Sequence, residues 1–412
     1  MTPALPHGEP VSAAGPLSDR TLHTLSDVSL SAYVHIPFCA TRCGYCDFNT
    51  YVASELEGVS QSGYVDSLLH EVALAESNLG AGHALSTVFF GGGTPTLLAA
   101  GDVARILTRL RDSFGLTPDA EVTIEANPES VDDALLSDLR DAGVNRISFG
   151  MQSAQPHVLT VLDRTHTPGN VAAGVEAARR AGFEQVSLDL IYGAPGESIH
   201  DWEQSVAAAL ALEPNHISAY ALIVEPGTRL ASQVARGELL APDDDDQASK
   251  YELADAMLSA AGFSWYEVSN WSQDEASQCR HNLAYWRGSH WWGFGPGAHS
   301  YIDNVRWWNV KHPRDYLEKL TSGASPAAAR EVLDPPTRHL EDVMLRARLR
   351  EGLPVSRLSE PARAAVEDLG ADGLVDLDQL TRGVVVLTDR GRLLADLVVR
   401  RLTEDSPSQM QN

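Results

Sequence analysis

The chain of 412 residues carries 56 acidic residues against 31 lysines and arginines, which gives a formal net charge of −25. This acidity disfavours nucleic acid and anionic lipid surfaces as direct partners. No apolar run approaches the roughly 20 residues of a membrane span, and no basic segment followed by an apolar one opens the chain. We therefore expect a cytoplasmic protein, whose reducing compartment keeps cysteines available for metal.

The predicted elements alternate between strand and helix after a polar lead-in. Residues 1–30 are rich in Pro, Ser, Gly and Thr and are predicted to be a disordered N-terminal lead-in. Apolar and alternating runs predict six strands, at 32–37, 87–90, 121–125, 146–150, 185–192 and 216–223. Apolar residues at three- and four-residue spacing predict helices between them, at 61–77, 101–114, 131–142, 170–181 and 200–210.

This alternation predicts an α/β fold with a parallel, barrel-like sheet over residues 31–240. An open doubly wound sheet is the alternative, although the G-x-G-x-x-G sequence that often opens its first helix is absent. Residues 241–325 contain seven of the eight tryptophans and form a predicted aromatic- and histidine-rich extension. Residues 326–412 are predicted to be a mostly helical, winged-helix-like domain, with helical segments around an apolar run at 383–387.

Three cysteines follow the first predicted strand in the spacing C-x3-C-x2-C, at Cys39, Cys43 and Cys46. Clustered thiolates on one loop indicate a metal site, and iron–sulfur clusters normally take four such ligands. Three thiolates around four irons leave one iron open, which is typical of a reactive site. Two alternatives are a zinc ion that also takes His35, and a disulfide pair with one odd thiol.

Unusual residues stand where the other predicted strands end. Gly92, Gly93 and Thr94 follow the second strand, and consecutive glycines let the backbone approach a ligand closely. Glu125 follows the third strand and Asp189 the fifth. In a parallel barrel the carboxyl ends of the strands hold the ligands, so we expect these residues to meet. The alternative for the glycines is a simple turn, and the alternative for Glu125 is a loop cap.

A second informative stretch reads Cys-Arg-His-Asn-Leu-Ala-Tyr-Trp from Cys279 to Trp286. A histidine beside flat aromatic side chains can ligate heme iron. A histidine packed in a hydrogen-bonded interior is the alternative for His281. Cys279 is compatible with a fourth cluster ligand, a buried thiol or a residue beside heme.

The string Y-V-H-I-P-F-C-x3-C-x-Y-C-D-F resembles the radical S-adenosylmethionine (SAM) superfamily, and within it the oxygen-independent coproporphyrinogen III oxidases (HemN) and the related heme chaperones (HemW). The resemblance implies a partial (β/α)6 barrel with a [4Fe–4S] cluster on Cys39, Cys43 and Cys46. It implies a set of SAM-contacting residues: Tyr33, Tyr45, Gly92, Gly93, Thr94, Glu125, Gln152, Arg164 and Asp189. The H-N-x-x-Y-W sequence resembles the chaperones' heme motif and implies heme-binding candidates: His281, Asn282, Tyr285 and Trp286.

The resemblance implies a heme chaperone that binds the cluster, SAM and heme and passes heme to respiratory acceptor proteins. Coproporphyrinogen III dehydrogenation, which decarboxylates two propionates to vinyls, is the first alternative. It is disfavoured because Phe48 stands where the oxidases have a further cysteine. A non-catalytic iron–sulfur scaffold is the second alternative. No catalytic residue is assigned, and the electron donor is not identified by the sequence.

Overall fold

The computed structural model describes residues 7–12, 15–17, 29–80 and 82–403. Among these residues one large sheet holds twelve strands, with six parallel strands at its centre and further strands at both edges. The first six strands are β1 Leu30–Ile36, β2 Leu85–Gly92, β3 Leu116–Ala126, β4 Arg146–Gln152, β5 Gln185–Tyr192 and β6 His216–Ala221. Most of the predicted lead-in over 1–30 lies outside the described residues; within it, the backbone of Glu9 exchanges two hydrogen bonds with Arg330, at 2.7 and 2.9 Å.

Strands β1 to β6 pair side by side, all parallel, in chain order. The helices that separate them are α1 Gln61–Leu79, α2 Ala100–Phe114, α3 Asp133–Ala142, α4 Pro156–Val161, α5 Pro168–Arg180 and α6 Ile199–Ala211. Parallel strands need such crossovers, because the chain must return to the same end of the sheet. The predicted partial (β/α)6 barrel is therefore confirmed, and the six predicted strands are all present.

The strands alternate between an apolar face and a polar face. In β4, for example, Ile147 and Phe149 belong to the hydrophobic core, whereas Arg146 and Ser148 line an internal cavity. Successive side chains of a strand point to opposite faces, so this alternation buries one set under the helices. The other set faces the barrel lumen. Typical barrels fill the lumen with branched apolar side chains, and this one does not.

The aromatic-rich region extends the sheet at both edges, which the sequence analysis did not predict. Its strands are β7 Ser264–Glu267, β8 Asn270–Ser272, β9 His290–Phe294, β10 His299–Ile302, β11 Val305–Asn309 and β12 Ala327–Val332. Strand β9 pairs in parallel with β1, and β8 pairs antiparallel with β6. The tryptophan rings pack inside this region; Trp292 meets Trp307 edge to face at 4.8 Å. Its helices are α8 Asp244–Ala260, α9 Arg280–Trp286 and α10 Pro313–Thr321, and a short helix, α7 Arg229–Ala235, precedes it.

The C-terminal region is mostly helical, as predicted, and it has its own hydrophobic core. Its helices are α11 Pro335–Arg346, α12 Glu360–Ala371, α13 Leu377–Thr381, α14 Asp389–Leu393 and α15 Ala395–Thr403, and a two-stranded sheet pairs Leu353–Pro354 with Val384–Val385. Arg392 joins this region to α8 through hydrogen bonds of 2.8 and 2.7 Å to the Asp255 carboxylate. Within the described ranges, no helix is both long and apolar enough to cross a membrane.

Candidate functional site

A cavity of about 560 Å³ opens at the carboxyl ends of the barrel strands and continues into the lumen. It brings together all three thiols of the cysteine loop and every SAM candidate named from the sequence. It is lined, among others, by Tyr33, Cys39, Cys43, Tyr45, Cys46, Gly92, Gly93, Thr94, Glu125, Gln152, Arg164, Asp189, His281, Asn282 and Tyr285. Trp286 is the one candidate outside the lining; it packs against a separate small apolar cluster.

The cysteine loop is held over the barrel mouth by residues distant in sequence. A short strand, Phe38–Cys39, pairs with Tyr51–Val52 and closes the loop at its base. His35 Nε2 lies 2.9 Å from the Asn49 carbonyl oxygen. The Asn49 side chain donates to the carbonyls of Pro296 and Lys311, at 3.0 and 2.9 Å. The extension therefore fixes the loop that carries the thiols.

The thiols are half-buried, and one of them contacts a guanidinium group. Burial raises the pKa of Cys46 to about 11 and also raises the pKa of Cys39. The Arg164 guanidinium donates to Cys43 Sγ at 3.4 Å, and all four cysteines are free. A metal that binds here must displace the thiol protons. In the part of the chain that the structure describes, no three His, Cys, Asp or Glu side chains form a group that could hold a metal ion.

The glycines after β2 form a cradle against this loop. Gly92 has a φ of +113°, and a Cβ on it would lie 2.7 Å from the His35 ring. A Cβ on Gly93 would lie 2.5 Å from the Phe38 carbonyl oxygen and 2.9 Å from Cys39 Sγ. Only a residue without a side chain leaves room there. Backbone and thiol thus approach the cavity together, which fits a cofactor that touches both.

Two carboxyl groups face each other across the lumen below the mouth. Glu125 accepts from the Gly92 amide at 3.2 Å, and burial, followed by the Asp189 charge, raises its pKa to about 8. Burial also raises the pKa of Asp189, although the Ser148 and Ser218 hydroxyls donate to it at 2.8 and 2.7 Å. Near neutral pH, Glu125 therefore carries a proton for much of the time. A protonated carboxyl group can both donate and accept hydrogen bonds.

Arg164 and Gln152 complete the mouth of the cavity. Arg164 donates to Asn127 Oδ1 at 2.8 Å and to the Gly150 carbonyl at 3.1 Å. Asn127 in turn donates to Thr94 Oγ1 at 3.0 Å. Gln152 has a φ of 63°, a left-handed conformation that few non-glycine residues adopt and that recurs at active sites. The sequence analysis did not assign a role to Asn127; its place after a strand end was the available signal.

Helix α9 carries His281 under the barrel lumen, where its side chain is 2% exposed. Its Nδ1 lies 2.7 Å from Thr87 Oγ1 and its Nε2 lies 3.0 Å from the Tyr285 hydroxyl. The Thr87 hydroxyl donates its proton to Ser31 at 2.9 Å, so it accepts from Nδ1–H of His281. Burial lowers the pKa of His281 to about 3, and the ring is neutral. His281 is therefore packed in a hydrogen-bonded interior, which was the alternative to heme ligation in the sequence analysis.

Cys279, also on the cavity lining, lies beneath the barrel rather than on the cysteine loop. Its Sγ lies 3.7 Å from Glu121 Oε1, and burial raises its pKa to about 12. The same Glu121 carboxylate accepts from the amides of Arg280 and His281, at 3.0 and 2.9 Å. A strand residue therefore caps α9 and holds its first turn in place.

The comparisons with known proteins agree with this geometry. The model of the Radical SAM superfamily matches residues 33–209. The structure described as "Coproporphyrinogen III oxidase (HemN) from Escherichia coli is a Radical SAM enzyme" superposes with a TM-score of 0.78 at 24% identity, and covers 93% of this chain and 91% of that one. Fold and cavity thus define a radical SAM protein.

Two curated relatives indicate the family within the radical SAM superfamily to which the chain belongs. The heme chaperone HemW of Mycobacterium tuberculosis is 54% identical over 372 residues, which are 90% of this chain and 94% of that protein. The Bacillus subtilis heme chaperone HemW is 33% identical over 89% of this chain and 97% of its own length. The chain belongs to the HemW family of heme chaperones.

Proposed function

We propose that the chain is a heme chaperone that holds a [4Fe–4S] cluster, binds SAM and heme, and passes heme to respiratory acceptor proteins. One observation carries the proposal: the three thiols and all the SAM candidates line one cavity at the carboxyl ends of the strands. The heme assignment is supported by the relatives, which are named heme chaperones and match this chain over most of their length.

Cys39, Cys43 and Cys46 would hold the cluster. Each ligand of a four-iron cluster binds its own iron, so the thiols need not converge as the ligands of a single ion do. The Arg164 guanidinium beside Cys43 offsets part of the negative charge of the thiolates. Bound together, cluster and SAM supply reductive cleavage of a sulfonium; the chain orients the cofactors and excludes water.

The residues below the mouth would hold SAM. The cradle at Gly92 and Gly93 admits its polar groups against the backbone. Glu125 and Asp189 offer acceptors for ribose hydroxyls or an ammonium group. The Tyr45 ring lines the cavity and packs on a small apolar cluster, and an adenine base would lie beside it.

Heme would engage the motif on α9. Because Nδ1 of His281 donates to Thr87, Nε2 carries the lone pair that iron requires. Tyr285 now donates to that nitrogen and would have to turn away. At the mouth, the Phe48 ring is 59% exposed and offers an apolar surface to a macrocycle.

A heme titration followed by transfer to an apo-acceptor tests the proposal, with and without the reconstituted cluster. His281→Ala should weaken heme binding, seen in the Soret band, while iron and sulfide content stays at the wild-type level. His299→Ala is the matched control, since His299 is exposed and lies outside the cavity lining. Equal heme binding by the two variants would remove His281 from the heme site.

The oxidase alternative is tested on the same preparation. Anaerobic incubation with coproporphyrinogen III, SAM and a reductant should give no vinyl product. Formation of vinyl groups would replace the chaperone proposal with the oxidase.

A further inference from the structure

The lower part of the barrel lumen is polar, and the proposed function does not use it. Thr123 lies two residues before Glu125 on β3, and Ser187 two residues before Asp189 on β5. At about 3.3 Å per residue, this layer lies roughly 7 Å deeper than the two carboxyl groups. Arg146 and His216 also line the cavity at this level, because they are paired in register with Thr123 and Ser187.

Arg146 is a buried cation without a carboxylate partner. Its side chain is 2% exposed, and it donates to the Ser277 carbonyl at 2.9 Å and to Ser187 Oγ at 2.8 Å. Both acceptors are neutral, and among the described residues no carboxylate oxygen lies within the 4.0 Å of an ion pair. Buried charges are normally paired, so this guanidinium has capacity for an anion.

His216 presents a second donor to the same space. The Tyr266 hydroxyl accepts from the Cys279 amide at 3.3 Å and lies 2.7 Å from His216 Nε2. Among the described residues no other acceptor lies within hydrogen-bond distance of this hydroxyl, so its own proton points to Nε2, which accepts it. The other ring nitrogen, Nδ1, must then carry hydrogen, and it is buried with no partner in the described part of the chain.

Thr123 supplies the third group. Its hydroxyl oxygen is likewise buried, and no described residue bonds to it. Unsatisfied buried polar groups are uncommon in folded proteins, and a bound ligand or an ordered water is one explanation for them. Here two of them stand in one layer with an unpaired guanidinium, on three different strands that face one lumen.

We infer that this layer of Thr123, Arg146, Ser187 and His216 is a binding site for a carboxylate group. A guanidinium fork matches the planar carboxylate, and the hydroxyl and imidazole N–H add donors around it. The carboxylate has two possible sources, a free small carboxylic acid or the propionate arm of a tetrapyrrole. The second source rests on the proposed heme binding, whereas the first does not.

Thermal unfolding of the full chain at pH 7.5 tests the site with sodium propionate, against propionamide at equal ionic strength. Propionate alone should raise Tm, as a ligand that binds only the folded state does. Thr123→Val keeps the side-chain volume and should weaken propionate binding about tenfold, a typical loss for a hydrogen bond to a charged group. Thr117→Val, on the same strand but outside the cavity lining, should bind as wild type does. Arg146→Met should abolish binding.

The site would be overturned if propionate and propionamide shift the Tm of the wild type equally, or if propionate shifts the Tm of Thr123→Val as much as that of the wild type. Both comparisons hold even if Arg146→Met fails to fold. The source is identified by titrating heme and its dimethyl ester. If the ester binds more weakly to wild type but not to Thr123→Val, the propionate arm is the ligand. If heme and ester bind alike while propionate still stabilises, a free acid is the ligand. A chain that binds propionate but not heme retains the site and loses the proposed function.

Discussion

Gly93→Ala tests whether the glycine cradle sets the position of the cysteine loop. The added Cβ would lie 2.5 Å from the Phe38 carbonyl oxygen and 2.9 Å from Cys39 Sγ. Gly93 is not among the glycines with positive φ, so the effect is steric alone. Ordinary contact begins near 3.4 Å, so the loop must retreat by several tenths of an ångström. Overpacking of this kind costs about 1–3 kcal/mol.

Because the atoms that must retreat are the Phe38 carbonyl group and Cys39 Sγ, we expect the variant to lose cluster as well as stability. The assay is iron and sulfide per chain after anaerobic reconstitution, with the free energy of unfolding measured alongside. Gly101→Ala is the control, since a Cβ there meets nothing within 4 Å and the residue lies on α2. Full cluster content and unchanged stability in Gly93→Ala would refute the close packing of strand end on thiol loop.

Two further predictions concern buried acids and thiols. Glu71 is buried on α1, and burial raises its pKa to about 7, although Tyr316 and Asn309 donate to it at 2.5 and 2.7 Å. Its folded pKa exceeds the ordinary 4.5, so stability falls as pH rises from about 4.5 through 7, by about 3 kcal/mol at 1.36 kcal/mol per unit. Glu125 and Asp189, whose pKa values are also raised, add a loss of their own in both proteins. Urea unfolding at pH 5 and 8 should therefore show a loss of stability that is smaller in Glu71→Gln than in wild type, by about 2–3 kcal/mol; equal losses in the two proteins would contradict the prediction. Cys279→Ala should keep the wild-type iron content, whereas Cys43→Ala should not. Loss of iron in Cys279→Ala would indicate that Cys279 is a cluster ligand.

Much of the barrel could be predicted because its signals are local. Each strand carries its own alternation, and each helix its own spacing of apolar residues. The rule that ligands sit at the carboxyl ends of parallel strands then brought Glu125 and Asp189 together without any knowledge of tertiary contacts. Both side chains line the same cavity, and their roles as SAM contacts stay a prediction.

The extension could not be predicted in the same way, because its partners are distant in sequence. Strand β9 pairs with β1, so Trp292 lies beside Ala32 across 260 residues of chain. The tie from Asn49 to the Pro296 carbonyl spans 247 residues. The environment of His281 likewise depends on Thr87, 194 residues earlier. Motif spacing identified the histidine, but only the packing of α9 under the lumen gives its tautomer and burial.

The polarity of the lumen connects the fold to its contents. A barrel filled by Val, Ile and Leu gains stability from its interior, whereas a lumen lined by Arg146, Ser187, His216 and Asp189 gains little when dry. Such a lumen is tolerated where ordered water or ligands satisfy its polar groups. Ligands that bind only the folded state then add to its stability by mass action. The residues that make this lumen a poor hydrophobic core therefore enable it to bind ligands, with thiols at its mouth and hydrogen-bond donors at its lower end.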